Sequence, residues 1–273
     1  MASISSVSFG ANYKKENNKK RNVMGASMAL LANTITSNVV SSVTKNVAMK
    51  KGAAIVDSLT KNEIDEMSKG VTKTLTESKV LSGKVQILPM VFDKMQPFFV
   101  PQTNAIHIDL KNNPTSGFHE LGHAFNFNSS KIIKTMSKTG PFLLALAPVL
   151  TIIPALTKET KAQNGQELTN KEKFINGFRK ACPFLAGALT LPTIIDEAMA
   201  TRVGNDFAKG LLSSNALKKV KQVNKYGLLS YLGLAGAIVL SGFVAKKIKD
   251  ASDKNLTIMA NDNAKIQKEY HQG

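Results

Sequence analysis

The feature that most restricts the fold of this chain is a set of three runs that contain no charged residue. They cover residues 139–157, 181–195 and 227–245. A helix needs about 20 apolar residues to cross the hydrocarbon core of a bilayer, so the first and third runs are long enough and the second is short. The chain must therefore place three largely apolar helices either in a membrane or in the core of a soluble protein.

The residues within and around these runs favour a membrane. Lys or Arg stands on both sides of each run. In the third run, Gly233, Ala237 and Ser241 recur at every fourth position, which is the small-residue spacing that lets membrane helices pack closely. We expect an integral, multi-pass membrane protein in contact with lipid; a soluble protein that buries the runs is the alternative. Lys and Arg are almost equally frequent on the two sides of the runs, so the orientation stays open.

The start of the chain is basic and polar. Residues 1–22 are rich in Lys and poor in large apolar side chains, which predicts a disordered basic arm. Residues 23–50 begin apolar and continue with many Ser, Thr and Asn, which indicates an amphipathic or membrane-associated segment rather than a cleaved signal or a true span. The remainder, 51–273, forms the third region. Near its start, Thr60 and Glu63 have the spacing of a capping box and predict a helix.

The net charge of +17 restricts the partners of the chain. Such a charge fits an anionic membrane surface, nucleic acid or an acidic protein. The sequence has neither zinc-finger spacing nor a glycine-aromatic RNA-binding signature, and only 6% of its residues are aromatic. Since so few aromatic side chains are present to stack on bases, we expect no nucleic-acid partner. The single cysteine, Cys182, excludes an intramolecular disulfide and lies in an apolar run.

The clearest chemical signal is an H-E-x-x-H sequence, His119-Glu120-Leu121-Gly122-His123. Residues four apart share a helix face, so His119 and His123 can present two imidazole nitrogens to one Zn²⁺. Glu120 then stands beside the metal and can act as a general base toward a bound water. We predict a catalytic zinc site; the alternative is an ordinary amphipathic helix with two hydrogen-bonded histidines.

The residues around the motif predict strands followed by a helix. Residues 104–110 alternate between apolar and polar side chains, as in a half-buried strand. Asn113 suits an N-cap and Pro114 suits the first helical position, so we predict that the motif helix begins there. Further upstream, residues 85–92 and 98–100 are apolar and rich in β-formers, which predicts a small sheet ahead of the helix.

A catalytic zinc normally has three protein ligands and one open position, so a third ligand is needed. The spacing H-E-x-x-H-x-x-G-x-x-H is excluded, because Asn126 and Ser129 occupy the later Gly and His positions. His107 and His271 remain as candidates, but Glu197 is the stronger one, since small residues beside it allow a helix to pack closely against the motif helix. The alternative for Glu197 is a solvated acidic helix start.

The order of these features is similar to that of a known family. HELGH at 119–123, two apolar runs and EAMATR at 197–202 follow one another as in the gluzincins. Within that group the chain resembles the integral-membrane peptidases related to HtpX and the CAAX prenyl protease. The resemblance covers about residues 104–205.

The resemblance implies the roles of four residues. His119, His123 and Glu197 would ligate one Zn²⁺, and Glu120 would serve as general base and then general acid. It also implies an α+β, mostly α fold: a zincin-like core of a small sheet and the H-E-x-x-H helix, a hydrophobic helical hairpin inserted between the zinc ligands, and a further C-terminal apolar helix. We assign residues 51–273 to this domain.

One position departs from the family pattern. The family has an aspartate that supports a histidine ligand, and this chain has Thr201 there. Asp196 or Asp206 can supply that hydrogen bond instead. Adjacent helical residues point about 100° apart, so only one of Asp196 and Glu197 can face the metal. We assign Glu197 to the metal and Asp196 to the N-cap of the helix that carries it.

The predicted function is therefore a membrane-embedded zinc metalloendopeptidase that hydrolyses a protein or peptide substrate. Two alternatives stay open. One is a non-catalytic, zinc-stabilised membrane scaffold or partner-binding protein. The other is a soluble zinc hydrolase whose apolar runs form its core.

Overall fold

A computed structural model of the protein describes residues 7–90, 97–162 and 166–272. The chain is mostly helical with one small mixed sheet, so the predicted α+β, mostly α class is confirmed at that level. The elements in chain order are α1 (Val7–Asp57), α2 (Lys61–Glu77), β1 (Gln86–Leu88), β2 (Phe98–Val100), β3 (Ala105–His107), α3 (Gly117–Ser129), α4 (Lys131–Leu156), α5 (Asn170–Lys209) and α6 (Ser214–Gln272).

The chain forms two compact units. The first unit contains residues 1–39, 147–187 and 237–273, and the second contains residues 40–146 and 188–236. Each of the four long helices, α1, α4, α5 and α6, contributes residues to both units. The predicted metal ligands all belong to the second unit.

The sheet of the second unit has the strand order β1-β3-β2. β1 is parallel to β3 and β2 is antiparallel to it, with Ile106 opposite both Ile87 and Phe99. The central strand is the buried one, since Ile106 is completely inaccessible to solvent. The three predicted strands are confirmed: β2 covers the predicted residues, and β1 and β3 are shorter than predicted. Residues 91 and 92, at the end of the first predicted strand, lie outside the described residues.

The hydrophobic core of the second unit lies between α2, the sheet and α3. Apolar residues at helical spacing on α2 face those of the motif helix and the central strand. The largest fully buried apolar side chains of this core are Met67, Val71, Leu81, Ile106, Phe118 and Leu121.

The start of α2 is confirmed as a capping box. The backbone N–H of Glu63 donates to the Thr60 hydroxyl (3.3 Å), and the backbone N–H of Thr60 donates to the Glu63 carboxylate (2.8 Å). Lys219 of α6 also donates to the Glu63 carboxylate (2.8 Å). The Thr60–Glu63 capping box therefore starts α2, and Glu63 also links α2 to α6.

The motif helix begins later than predicted. α3 starts at Gly117 with Ser116 at the N-cap position, and the Ser116 side chain makes no capping hydrogen bond. Asn113 does not cap the helix, because its side-chain oxygen accepts from the hydroxyl of Thr115 (2.7 Å). The carbonyl of Pro114 instead accepts from the N–H of Gly117 (3.0 Å), which closes a turn before the helix. The prediction that the helix begins at Asn113 and Pro114 was wrong for this reason.

α4 and α5 run antiparallel as a helical hairpin. In the second unit, the Ser137 hydroxyl near the start of α4 donates to Asp196 near the end of α5 (2.8 Å). In the first unit, the Arg179 guanidinium near the start of α5 donates to the carbonyl of Pro154 near the end of α4 (3.1 Å). The two helices are therefore paired at both ends.

α1 and α6 are also antiparallel. In the first unit, Gly25 of α1 packs against Ser252 of α6 so closely that a Cβ would not fit. In the second unit, Gly233 of α6 packs against Thr44 of α1, and a Cβ on Gly233 would lie 2.5 Å from the Cβ of Thr44. Small residues thus let these helices approach along their length.

The long helices turn large apolar side chains outward and small ones inward. In the first unit a buried cluster between helices consists of the alanines Ala29, Ala155 and Ala245, with Leu30 and Ile248 partly buried against it. Exposed large apolar side chains on the long helices include Met24, Met28, Leu31, Ile35, Phe142, Val149, Phe184, Leu191, Leu232 and Leu240. This arrangement is typical of helices surrounded by lipid, where small residues pack helix to helix.

Three helical segments are long and apolar enough to cross a membrane: Asn22–Asp57, Lys131–Leu156 and Ser214–Met259. The second contains the predicted run at 139–157 except for Thr157, and the third contains the run at 227–245. The first is α1, for which a surface-associated segment was favoured over a span. α5, which contains the run at 181–195, is not among the three.

The N-terminal part of α1 also differs from expectation. α1 begins at Val7, so residues 7–22 of the predicted disordered arm are helical, and residues 1–6 lie outside the described part. The helix that starts there continues through the apolar segment without a break. Lys has a good helix propensity, so a basic stretch can extend a helix that the following residues stabilise.

Candidate metal centre

Two helices bring the three predicted metal ligands together. His119 and His123 lie one turn apart on α3, and Glu197 lies on α5. The Nε2 atom of His119 is 3.1 Å from the Nε2 atom of His123 and 3.1 Å from a Glu197 carboxylate oxygen. The Nε2 atom of His123 is 3.6 Å from the other Glu197 oxygen. Among the described residues, these three form a group whose ligand atoms all lie within 4.8 Å of one another.

These separations fit a tetrahedral zinc ion. Zinc binds His nitrogen and carboxylate oxygen at about 2.0–2.2 Å, and tetrahedral ligands at that distance are roughly 3.4 Å apart. The observed edges of 3.1, 3.1 and 3.6 Å bracket that value. Two histidines and one carboxylate also leave a fourth position for water or substrate, as catalytic zinc sites require.

Two glycines allow α3 and α5 to approach this closely. A Cβ on Gly122 of α3 would collide with the carbonyl oxygen of Ala200, and a Cβ on Gly204 of α5 would collide with the carbonyl oxygen of Phe118. Ala200 is completely buried in the contact. The small residue Ala200 was predicted to permit this packing, and the role of Gly204 was not.

The second nitrogen of His119 also has a polar partner. His119 Nδ1 shares a hydrogen bond with the Thr201 hydroxyl (3.3 Å). Thr201 follows Glu197 by four residues, so it lies on the same face of α5. Thr201 therefore provides the hydrogen bond to His119 that was sought from Asp196 or Asp206.

Asp196 lies on the far side of His123. Its Oδ1 atom is 3.6 Å from His123 Nδ1, too long for a hydrogen bond but close enough for attraction. Its other oxygen accepts from the Ser137 hydroxyl (2.8 Å). The prediction that Asp196 caps a helix was wrong, because α5 already begins at Asn170. Asp206, the other candidate for this support, is solvent-exposed.

The candidate general base is buried beside the ligands. Glu120 is 6% exposed, and its carboxylate accepts a hydrogen bond from the backbone N–H of Phe99 on β2. Burial raises the pKa of Glu120, and the neighbouring His119 and His123 only partly offset this. The raised pKa makes this carboxylate better able to accept and hold a proton.

The metal-ligand candidates polarise one another. Burial would lower the pKa of His123, but Asp196 and Glu197 outweigh it and raise that pKa well above the ordinary value. The neighbouring carboxylates therefore stabilise positive charge at His123, and a bound cation would take the place of that proton.

Tyr231 is the residue at the site that sequence reasoning missed. It lies on α6, and its hydroxyl is hydrogen-bonded to Glu197 and close to Glu120 and Asp196. The available signal was its position as the single phenol in the apolar run 227–245. A polar group in such a run is usually functional.

The other histidines do not join the cluster within the described residues. His107 of β3 stacks on the ring of Phe98, with 4.8 Å between ring centroids. The side chain of His271 lies outside the described residues. Glu197 is therefore the third member of the metal-capable group, as predicted.

Comparison with known proteins gives no relative: no family model, no curated protein and no solved structure matches this chain. The metal-capable cluster and the apolar helices are thus established by geometry and composition alone.

Proposed function

We propose that the chain is a membrane-embedded zinc metalloendopeptidase of the gluzincin type. The observation that carries this proposal is the near-tetrahedral spacing of His119, His123 and Glu197, with the buried carboxylate of Glu120 beside them. Two imidazoles and one carboxylate, with a non-ligating glutamate next to the first histidine, form the donor set of a hydrolytic zinc site.

The chain's own residues then have distinct tasks. Bound Zn²⁺ would supply Lewis acidity toward a carbonyl and lower the pKa of a water. Glu120 accepts the proton of the attacking water and delivers it to the leaving amine. Thr201 and Tyr231 orient His119 and Glu197 through their hydrogen bonds.

The position of β2 supports a peptide as the substrate. β2 is an outer strand of the sheet, and the backbone N–H of Phe99 already points to the Glu120 carboxylate. An extended peptide that pairs with such a strand places its backbone next to the general base. Pairing through the main chain is tolerant of sequence, which suits an endopeptidase.

The surface of the long helices supports a membrane location. Side chains such as Phe142 (65% exposed) and Phe184 (64% exposed) remain largely exposed, whereas alanine lines the contacts between helices. Exposing so much apolar surface to water would be unfavourable, so lipid is the proposed neighbour. The same distribution argues against a soluble hydrolase that uses these helices as its core.

Metal content and proteolysis, measured together on single variants, test the proposal. His119→Ala and His123→Ala should lose both zinc and cleavage of a peptide library, because each removes a ligand. Glu120→Gln should keep zinc and lose cleavage by a factor of at least 10², because it removes proton transfer only. Cleavage by Glu120→Gln at the wild-type rate would refute the mechanism.

A second function has one observation in its favour. The contacts from Glu197 to both histidines would let a metal clamp α3 to α5, which also suits a non-catalytic scaffold. In that case the wild type binds zinc, and no peptide in the library is cut by either the wild type or Glu120→Gln.

A further inference from the structure

A cavity lies in the first unit, in a part of the chain that contains none of the metal ligands. It has a volume of about 730 Å³ and is formed by the chain that follows α4 and by the later part of α6. Its lining consists of Lys158, Glu159, Thr160, Lys161, Ala162, Asp250, Ala251, Asp253, Lys254, Thr257 and Ile258. Pockets of this size hold small molecules or headgroups.

Each acid in the lining already has a cationic partner from outside the lining. Glu159 pairs with Lys180 at 3.0 Å. Asp250 pairs with Arg179 at 2.7 Å and with Lys246 at 2.8 Å. Asp253 pairs with Lys249 at 2.6 Å, and this pair is almost completely buried. The acids of the cavity are therefore neutralised.

By contrast, the lysines of the lining have no acidic partner among the described residues. Lys158, Lys161 and Lys254 are exposed, and none of them forms an ion pair with another described residue. The cavity thus presents three uncompensated positive charges. Charge complementarity calls for an anionic ligand.

The wall that carries two of these lysines is held in place. The buried Arg179 guanidinium donates to the carbonyls of Pro154 (3.1 Å) and Thr157 (3.0 Å), which terminate α4. The Asn176 side chain accepts from the backbone N–H of Thr160 (3.0 Å) and donates to its carbonyl (2.7 Å). A preorganised wall binds a ligand at a lower entropic cost.

The position along the helices matches the headgroup layer of a bilayer. Residues 158–162 follow directly on the apolar helix α4, and residues 250–258 come 5 to 13 residues after the apolar run that ends at Ala245. At 1.5 Å per residue, Asp250 lies roughly 8 Å beyond the apolar run, at the outer limit of a headgroup layer about 5–8 Å thick. Lys254 lies roughly 14 Å beyond the run, and its long side chain can reach back toward the headgroups. Leu156 (58% exposed) and Ile258 (48% exposed) provide apolar surface beside the cavity.

We propose that this cavity binds the headgroup of an anionic phospholipid. Lys158, Lys161 and Lys254 contact the phosphate oxygens, and the Thr160 hydroxyl supplies a further donor. The acyl chains lie along the exposed apolar side chains such as Leu156. This site is independent of the proposed peptidase activity and requires only that α4 and α6 lie in a membrane.

Lipid retention by the full chain tests the site. The purified protein in neutral detergent is offered equal amounts of phosphatidylglycerol and phosphatidylcholine, and bound lipid is counted by native mass spectrometry. The wild type should retain phosphatidylglycerol selectively. The triple variant Lys158→Gln, Lys161→Gln, Lys254→Gln should lose that selectivity by on the order of tenfold. Glycerol phosphate at millimolar concentration, which lacks acyl chains, should not displace the bound lipid.

A matched triple variant controls for net charge. Lys171→Gln, Lys218→Gln and Lys247→Gln remove the same charge from exposed positions outside the cavity, and this variant should bind like the wild type. Unchanged selectivity in the cavity variant, or an equal loss in the control, would overturn the proposal. Displacement by glycerol phosphate would also overturn it, since the site would then recognise a soluble phosphate. Lipid-free thermal unfolding of both variants verifies that they fold.

Discussion

Thr201 has a larger role than its residue type suggests. Its hydroxyl is the only described side-chain partner of His119 Nδ1 (3.3 Å), so it sets the orientation of that imidazole. Glu197 and Thr201 are four residues apart on α5, as His119 and His123 are on α3. Each helix therefore presents two neighbouring positions of one face to the centre.

We expect Thr201→Val to lower zinc affinity by on the order of tenfold, because it removes the hydrogen bond and keeps the side-chain volume. Thr201→Ser keeps the hydroxyl and should bind zinc like the wild type. Competition with a chelator of known affinity measures both variants. Equal affinities in the valine and serine variants would show that the hydroxyl does not support His119.

The residues at the centre were predictable to different degrees. The spacing within one helix predicts His119, Glu120 and His123. Glu197 is predicted because small residues beside it allow close helix packing and because the stretch 197–202 resembles a known zinc-ligand motif. The contacts of Thr201, Asp196 and Tyr231 depend on the rotation of α5 and α6 against α3. No local pattern encodes that rotation, so these contacts emerge only from the packed structure.

The close approach of α3 and α5 is the element-scale condition for the metal centre. Gly122→Ala or Gly204→Ala would place a methyl group against the backbone of the other helix. We expect each substitution to separate the helices, to destabilise the protein by about 1–3 kcal/mol and to lower zinc affinity at least tenfold. Thermal unfolding and zinc titration of the purified variants measure the two effects.

Gly177→Ala is the matched control on α5. Apart from the neighbouring backbone of α5 itself, nothing lies within 4 Å of the position that its Cβ would take. We expect normal zinc binding and a stability equal to or slightly above that of the wild type, because alanine is the better helix former. Normal zinc affinity in Gly122→Ala and Gly204→Ala would mean that the helices can part without loss of the centre.

The capping box of α2 predicts how acid affects the second unit. Lys219 first, and the Thr60 backbone next, hold the pKa of Glu63 below its ordinary value of 4.5. A carboxyl whose pKa is lower in the folded state contributes stability above its unfolded pKa, and this contribution is lost as the pH falls through the folded pKa. The contribution should therefore be complete at pH 7 and decline below about pH 4.5.

We expect Glu63→Gln to flatten the acid side of the stability profile, because glutamine does not titrate. Thr60→Ala should cost about 1 kcal/mol at pH 7 through the lost cap. Unfolding midpoints of the wild type and both variants between pH 7 and pH 3.5 provide the measurement. A Glu63→Gln profile parallel to that of the wild type would show that another carboxyl governs acid stability.

Elements were predictable where one local signal dominates. Thr60 and Glu63 determine the start of α2 because both capping bonds form within four residues. The strand order could not be predicted, since β1, β2 and β3 are too short to specify which of them is central. The predicted start of α3 is wrong because Asn113 accepts a hydrogen bond from Thr115 and Pro114 closes a turn. Residue preferences alone do not show whether such local bonds or a helix cap will form.

At the scale of the whole molecule, the candidate metal centre links the expected membrane crossings of α4 and α5. α4 leads away from His119 and His123 for 26 residues, or about 39 Å. α5 must return over the same length for Glu197 to meet the histidines. The contacts Ser137–Asp196 and Arg179–Pro154 pair the two helices at both ends. If α4 spans the membrane, α5 spans it as well.

Charged residues explain why α5 is not among the three helices that are apolar enough to cross a membrane. The apolar run of α5, residues 181–195, is short because charged residues stand at both ends. These charges are compensated within the protein: Arg179 pairs with Asp250, and Glu197 pairs with the histidines. A membrane-spanning helix can carry charged residues when they have such partners, even though these residues lower its mean hydropathy.

We therefore expect four crossings, by α1, α4, α5 and α6. In a Cys182→Ala background, Lys79→Cys and Lys209→Cys should react with an impermeant maleimide from one side of sealed proteoliposomes, and Glu167→Cys only from the other side. All three positions are exposed, so labelling reports the side alone. Labelling of Glu167→Cys from the same side as Lys209→Cys would mean that α5 does not cross. Because Glu197 on α5 contacts His119 and His123, α4 would then not span the membrane either.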